Sequence, residues 1–483
     1  MKREGSVLDL DADARATLWR RVAELLEQHA GPLSADPDAP LVPRRSNDAI
    51  AAEVADLDLD TPRPPLAVLD EVVRALEDGV VHTDHPRYFG LFNSAPAALT
   101  IVADAIVSGY NAQLATRGHA PWPVAIEDRL IAEIGARFGW SPSDCRGAFT
   151  TGGGEANTTA LACALVSTFP EFAERGARAL PGEPRVYVST EGHATVHRAA
   201  RLAGIGDAAV RVVSSDAAQR MKATALREAI ADDRQRGALP FLVVATAGTT
   251  SSGGIDPLNE IATIAERERC WFHVDAAWGG LAALVPELRS AIAGVERADS
   301  ITFDAHKVMS APIGTGTFLT RRDGVLERVF GANTGYMPRD GSSDPYARSI
   351  QWSRRFLGLR LLLPLATLGW DGYASSLRRQ VALAERLRER LRARRWRIVN
   401  DTPLPIVCFV DASEGSGGRD GRFLDAVARA TIASAGGWIS VPRFASGARA
   451  LRACVNNHRT EESDVDRLVD ALDAARAELS PRA

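Results

Sequence analysis

Residues 271–280 read Trp-Phe-His-Val-Asp-Ala-Ala-Trp-Gly-Gly, and residues 300–307 read Ser-Ile-Thr-Phe-Asp-Ala-His-Lys. Both are short, β-branched and aromatic runs that end on a charged group. The first delivers Asp275 at the carboxyl end of an apolar strand, ahead of small residues. A carboxylate in such a place must be paired or solvated. A protonated ring nitrogen of a cofactor meets that need, and so does a structural N-cap. The second run delivers Lys307. Desolvation at the end of an apolar strand lowers an amine's pKa and makes it a candidate Schiff-base nucleophile. Taken singly, most lysines only solubilise a surface.

Working outward, similar runs recur at 186–189, 210–213, 241–246 and 317–320, separated by alanine-rich helical stretches at 158–167, 223–236 and 258–269. This alternation predicts an α/β fold, a mainly parallel sheet covered by helices on both faces. Ligands in such sheets sit at the carboxyl ends of the strands. Upstream, residues 150–157 read Thr-Thr-Gly-Gly-Gly-Glu-Ala-Asn, where a strand ends and a helix begins. Consecutive glycines let backbone N–H groups approach a ligand, and a helix N-terminus adds positive potential, so the turn is a candidate phosphate cradle. It is neither a P-loop nor a GxGxxG fingerprint, and many glycine turns before helices are only turns.

At the N-terminus, residues 8–30 read as an amphipathic helix with Leu18, Val22, Leu25 and Leu26 on one face. Proline-rich stretches at 32–43 and 62–65 and a short helix at 66–77 follow. Residues 1–84 therefore read as a helical and extended arm, and 85–369 as the large domain. Within the latter, 323–356 is loop-like. Residues 370–483 read as a small C-terminal α/β domain: a long helix to about 395, then strand 406–410, helix 421–435, strand 451–456 and helix 462–479. The seven arginines of 386–397 read as a solvated face beside a buried stripe of Leu383, Leu387 and Leu391.

Composition narrows the function. Of 483 residues, 46% are hydrophobic and 24% charged, as in soluble globular proteins. The 57 basic residues are outnumbered by 61 acidic ones, a net charge of −4, so a nucleic-acid partner is not expected. The apolar stretches 97–107 and 358–370 are short and interrupted by Asp104 and Arg360, so no membrane partner is expected. The five cysteines are scattered without a CxxC, which favours a reducing, cytoplasmic setting and buried thiols over a zinc ribbon.

In order, the glycine cradle, His193 in Thr190-Glu191-Gly192-His193, Asp275 and the His306-Lys307 pair resemble the group II pyridoxal 5'-phosphate (PLP)-dependent amino-acid decarboxylases. This is the family of glutamate, aromatic amino-acid and histidine decarboxylases. His-Pro-Arg-Tyr-Phe at 85–89, Ala-Thr-Ala-Gly-Thr-Thr at 245–250, Arg354-Arg355-Phe356 and Leu451-Arg452 near Arg459-Thr460-Glu461 extend the resemblance over roughly 60–475. It implies a type I PLP-dependent transferase fold with a mainly parallel seven-stranded sheet. It also implies that Lys307 holds PLP as a Schiff base, that Asp275 pairs with the pyridinium nitrogen, and that His193 stacks on the ring. Gly153, Gly154 and His306 then face the phosphate, and Thr250 and Ala277 line the ring. Segment 331–348 resembles the family's mobile catalytic loop, whose tyrosine acts as proton donor. Of Tyr336 and Tyr346, the latter is favoured.

For substrate binding, the resemblance and the pocket segment 91–94 point to Phe92 and Ser94. Arg117 is a candidate for an acidic side chain and Arg452 for the substrate carboxylate. A surface arginine and a salt bridge to the main domain are the respective alternatives. The chain departs from the family pattern at the third glycine of the cradle, at Val308 after the lysine, and at Asp304-Ala305, where Asn-Pro is common. The expected protein is a cytoplasmic homodimer that decarboxylates an acidic or aromatic L-amino acid to the primary amine and CO2. Oxidative deamination to an aldehyde, carbon–carbon lyase chemistry and aminotransfer use the same cofactor residues. A non-catalytic scaffold has no need of a buried lysine facing a buried acid.

Overall fold

The computed structural model describes residues 8–35, 39–92, 95–332, 343–412 and 421–480. Its frame is a seven-stranded sheet of β1 (Arg146–Thr150), β2 (Pro184–Ser189), β3 (Val210–Val213), β4 (Leu239–Thr246), β5 (Trp271–Asp275), β6 (Ser300–Asp304) and β7 (Gly316–Thr320), ordered β1-β7-β6-β5-β4-β2-β3. β3, β2, β4, β5 and β6 pair in parallel, and β7 is antiparallel to both β6 and β1. Strands β5, β6 and β7 are buried along their whole length. This is why the sequence there shows continuous apolar runs and not alternation. Two apolar layers cover the faces. One gathers Phe138, Phe149, Phe272 and Phe303; the other packs the alanine-rich helix Gly153–Thr168 over Val186, Val188 and Phe241.

A second sheet, β8 (Trp396–Ile398), β9 (Ile406–Asp411) and β10 (Leu451–Cys454), is antiparallel in the order β10-β9-β8. It shares a core with helices Gly421–Ala433 and Glu462–Leu479 through Trp396, Phe409, Val427 and Leu468.

Several expectations need correction. Within 323–356, Val325–Phe330 is helical, because Val325 and Leu326 bury against the layer under the alanine-rich helix. The expected long helix from 370 is present and ends at Ala393; a second helix from Leu359 precedes it, the two separated at Gly369, whose φ of 65° only glycine adopts at little cost. Leu383, Leu387 and Leu391 are buried as expected. The arginines beside them are not simply solvated: buried Arg388 donates to the carbonyls of Leu404 and Ile406 at 3.0 and 2.9 Å, and Arg386 donates to Asp466 at 2.7 Å. In the N-terminal helix, Ala12–Ala35, Leu25 is buried whereas Leu26 is exposed. All five cysteines are free and buried. Among the described residues no helix is long and apolar enough to cross a membrane.

Candidate active site

Register places the chemistry. β4, β5 and β6 are neighbours, Thr246 pairs with Asp275, and Asp275 pairs with Thr302. The strands end on Thr246, Asp275 and Asp304 side by side, and the loops beyond them enclose a cavity of about 170 Å³. Its wall holds Gly152–Gly154, Asn157, His193, Thr250, Ala277, His306 and Lys307, with Phe92 and Trp278 stacked at 4.4 Å between ring centroids. Thus Lys307, Asp275, His193, the cradle glycines, Thr250, Ala277, His306 and Phe92, scattered over more than two hundred positions of sequence, converge.

Lys307 Nζ lies 2.9 Å from Asp304 Oδ2, which also accepts the Gly153 N–H at 3.1 Å. Burial acts to lower the Lys307 pKa, but the carboxylates of Asp304 and Asp275 outweigh it and hold the ammonium above its ordinary range. The desolvated, low-pKa amine expected from the sequence is therefore corrected: the strand that buries Lys307 also supplies its counter-charge. Asp275 accepts from Asn157 Nδ2 at 2.8 Å and from the Ala277 N–H at 3.1 Å, and is buried. His193 Nδ1 lies 2.9 Å from Thr195 Oγ1, and burial lowers its pKa. His306 Nδ1 faces the Thr315 carbonyl at 3.1 Å, and its pKa too is lowered by burial.

The cradle is sterically committed. Gly152 has φ 147°, and a Cβ there meets the His306 ring at 3.2 Å; a Cβ on Gly153 meets Asp304 Oδ2 at 3.1 Å. Three buried polar atoms on the wall, Thr246 Oγ1, Trp278 Nε1 and Asp304 Oδ1, have no hydrogen-bond partner among the described residues.

Other expected residues lie elsewhere. Tyr346, read as a loop-tip tyrosine, is 6% exposed, packs on Trp352 at 4.8 Å and donates its backbone N–H to the Ala115 carbonyl. Its large apolar ring is worth more in the core than in solvent. Arg117 donates to Asp128 at 2.7 Å, an acid it shares with Arg348, and is not on the cavity wall. Arg452 is buried, and its guanidinium donates to the carbonyls of Gly90 and Thr250 and to Ser440 Oγ, while lying 5.5 Å from the Phe92 ring centre. It joins the small sheet to the main domain. Ser94 and Tyr336 lie outside the described residues.

Sequence reasoning passed over Asn157, Thr195, His273 and Thr302, which surround Asp275 from behind, and gave Asp304 no role. A signal existed for His273: it stands two residues before Asp275 on one strand, hence on the same face.

The sequence model of the pyridoxal-dependent decarboxylase conserved domain matches residues 52–411. The chain is 32% identical over 338 residues to acidic amino acid decarboxylase GADL1 of Bos taurus, covering 68% of this chain and 64% of that protein. It is 31% identical over 364 residues to cysteine sulfinic acid decarboxylase of Mus musculus, covering 74% and 73% respectively. The crystal structure of mouse CSAD superposes with a TM-score of 0.90 at 27% identity, covering 96% of this chain and 99% of that one. A fold, a site and a domain match that agree over most of the length make one conclusion: the chain belongs to the pyridoxal-dependent decarboxylase family, whose cofactor is pyridoxal 5'-phosphate.

Proposed function

We propose that the protein decarboxylates an acidic L-amino acid, one with a carboxylate or sulfinate side chain, to the primary amine and CO2. The observation that carries this reading is the convergence of Lys307, Asp275 and His193 on one cavity beside a glycine cradle. The acidic preference rests on the two relatives, whose names specify acidic amino acid and cysteine sulfinic acid.

Pyridoxal phosphate fits the residues present. A Cβ would crowd the cradle at Gly152 and Gly153, and the cradle offers a helix N-terminus to an anion. An amine and a carboxylate stand in the same cavity. When bound, the cofactor supplies the electron sink for the pair left by departing CO2.

Lys307 is the amine that would hold the cofactor covalently. In the unloaded site Asp304 keeps Lys307 as its ammonium. Asp275, oriented by Asn157 and Ala277, would pair with the ring nitrogen and favour its protonated form. His193, held by Thr195, would pack on the ring. Gly154 and His306 would bind the phosphate, and Thr250, Ala277 and Phe92 with Trp278 would confine the ring and substrate and limit water. Gly153 contributes less than the sequence implied, because Asp304 already takes its N–H.

The working unit in this reading is a cytoplasmic homodimer. Helix Pro65–Gly79 buries none of its residues and exposes Leu66, Val72 and Leu76, while helix Ala98–Tyr110 exposes Val102, Ile106 and Tyr110. Faces of this kind call for a partner surface. The division into an arm at 1–84, a large domain at 85–369 and a small domain at 370–483 belongs to the same proposal.

The test is CO2 release from L-amino acids with carboxylate, sulfinate and aromatic side chains, with pyridoxal phosphate added, products being identified by mass spectrometry in air and without oxygen. An amine from an acidic substrate in both atmospheres is expected. An aldehyde formed only in air, or no CO2 from any substrate, overturns it.

A further inference from the structure

Behind the cavity floor runs a continuous series of hydrogen bonds. Trp271 Nε1 donates to Ser300 Oγ at 2.8 Å, and Ser300 Oγ lies 2.8 Å from His273 Nδ1. His273 Nε2 lies 3.1 Å from Asn157 Oδ1 and 3.2 Å from Thr302 Oγ1, and Asn157 Oδ1 also accepts from Thr302 Oγ1 at the shorter distance of 2.7 Å. Asn157 Nδ2 then donates twice, to Asp275 Oδ2 at 2.8 Å and to Thr195 Oγ1 at 2.9 Å. Thr195 Oγ1 meets His193 Nδ1 at 2.9 Å, and the Thr195 backbone N–H donates to the same nitrogen at 3.3 Å. Trp271, Ser300, His273, Thr302 and Asn157 are all buried.

Chemistry gives the series a single direction. An indole N–H can only donate. Ser300 Oγ accepts it with one of its two lone pairs, and its own proton goes to His273 Nδ1 because the Asn157 end requires the ring proton on Nε2. The ring proton of His273 is then on Nε2, facing Asn157 Oδ1. The amide is thereby fixed with its carbonyl toward His273 and Thr302 and its NH2 toward Asp275 and Thr195. The far end agrees: the Thr195 backbone N–H is also donor-only, so His193 Nδ1 must be an acceptor and His193 carries its proton on Nε2. Reversing the series sets the lone pair of His273 Nε2 against Asn157 Oδ1, or the flipped amide oxygen against the Asp275 carboxylate. A buried acceptor–acceptor contact of either kind is costly. Burial also pushes the His273 pKa down, to about 4, so the ring stays neutral and the direction holds at neutral pH.

We propose that this one-way chain is a positioning device. Trp271, Ser300, His273 and Thr302, none of them on the cavity wall, set the orientation of the Asn157 amide, and through it present Asp275 and His193 to the cofactor ring in one hydrogen-bonding state. The proposal rests on the roles given above to Asp275 and His193.

The experiment is NMR of the full-length protein labelled in its nine histidine rings, with and without pyridoxal phosphate, the His273 signal being assigned with His273→Gln. A neutral Nε2–H tautomer at His273 at pH 7, already present without the cofactor, is expected. An Nδ1–H tautomer or a charged ring overturns the proposal. Ser300→Ala is expected to move the His193 signal and weaken pyridoxal phosphate binding about tenfold, the worth of one hydrogen bond, while Ser300→Thr keeps the hydroxyl and restores both. Trp271→Phe removes only the leading N–H and tests the same coupling should Ser300→Ala fail to fold. If folded Ser300→Ala or Trp271→Phe leaves both the His193 signal and cofactor affinity unchanged, the proposal is overturned. Failure of the wider functional reading looks different: the wild-type protein takes up no pyridoxal phosphate although His273 shows the expected tautomer.

Discussion

At the cavity floor, Thr246, Asp275 and Asp304 stand on the last residues of three adjacent strands, each placed by the register of its neighbour. At the rim, Phe92, Thr250 and Arg452 come from separate segments, and the bond from Arg452 to the Gly90 carbonyl spans 362 positions of sequence. The floor is a rigid product of the sheet, and its charged groups meet each other: Lys307 with Asp304, Asp275 with Asn157. The arginines that suggest substrate recognition are already committed, Arg452 beside the rim to protein carbonyls and Arg117, away from the cavity wall, to Asp128. Asp275, the last residue of a wholly apolar strand, can be read as a candidate from sequence. Arg452 on a strand and Arg117 on a loop cannot, because a nearby acid or carbonyl satisfies an arginine equally well.

The largest expected effect is at the floor. Lys307→Ala is expected to abolish covalent cofactor attachment and reduce turnover by about 10³-fold or more, seen as loss of the bound cofactor's absorbance and of CO2 release. Turnover within tenfold of wild type would break the assignment of Lys307 to the floor chemistry. Asp275→Asn removes the charge but keeps the shape. A fall in kcat on the order of 10²-fold is expected, the range found when one preorganised electrostatic group is lost.

The rim should respond in stability before catalysis. Arg452→Met leaves the Gly90 and Thr250 carbonyls without their donor and is expected to cost about 2 kcal/mol, measured from the denaturant midpoint. Arg117→Met loses a half-exposed ion pair, worth less than about 1 kcal/mol, with no change in KM. A tenfold rise in KM for an acidic substrate at unchanged stability would move Arg117 from the rim's scaffold to its chemistry. Tyr346→Phe is expected to leave the ratio of amine to aldehyde unchanged, since the ring is buried against Trp352. A shift toward aldehyde would mean that Tyr346 reaches the reacting carbon.

The smallest effect lies farthest from the floor. His29 Nε2 is 2.7 Å from Asp84 Oδ2, and that hydrogen bond, outweighing partial burial, raises the His29 pKa. A histidine whose pKa is higher folded than unfolded contributes its stability fully below the unfolded value, and loses it as pH rises through the folded value. Hydrogen exchange in helix Ala12–Ala35 should therefore accelerate as pH rises above about 6.5, the ordinary histidine value, beyond the intrinsic pH dependence, and His29→Gln should remove that extra change.

Some of this was open to reading in the chain. A mainly parallel sheet follows from apolar runs alternating with alanine-rich helices, its seven strands from the family resemblance, and Asp275 and Lys307 stand out because a charge at the end of a wholly apolar strand demands a partner. Helix Val325–Phe330 was hidden because six residues are too few to show a periodicity. Asn157 was hidden because an asparagine one turn into a helix has no distinguishing pattern until its partners are known. Tyr346 was read as the loop tyrosine from the family resemblance, and its packing on Trp352 was not legible in the sequence.

By itself, then, the sequence determined the element order, the strand-end acid and lysine, and the glycine cradle, because these depend on local propensity and on the cost of burying charge. Only the tertiary structure decided which donors Asp275 meets, that Lys307 is held charged by Asp304, and that Arg117 and Arg452 are spent on the protein itself. Those outcomes turn on distances of a few ångström between segments far apart in the chain. Spacing along a sequence carries no such information, because it is fixed only when the sheet register and the packing of the two sheets and their helices are complete.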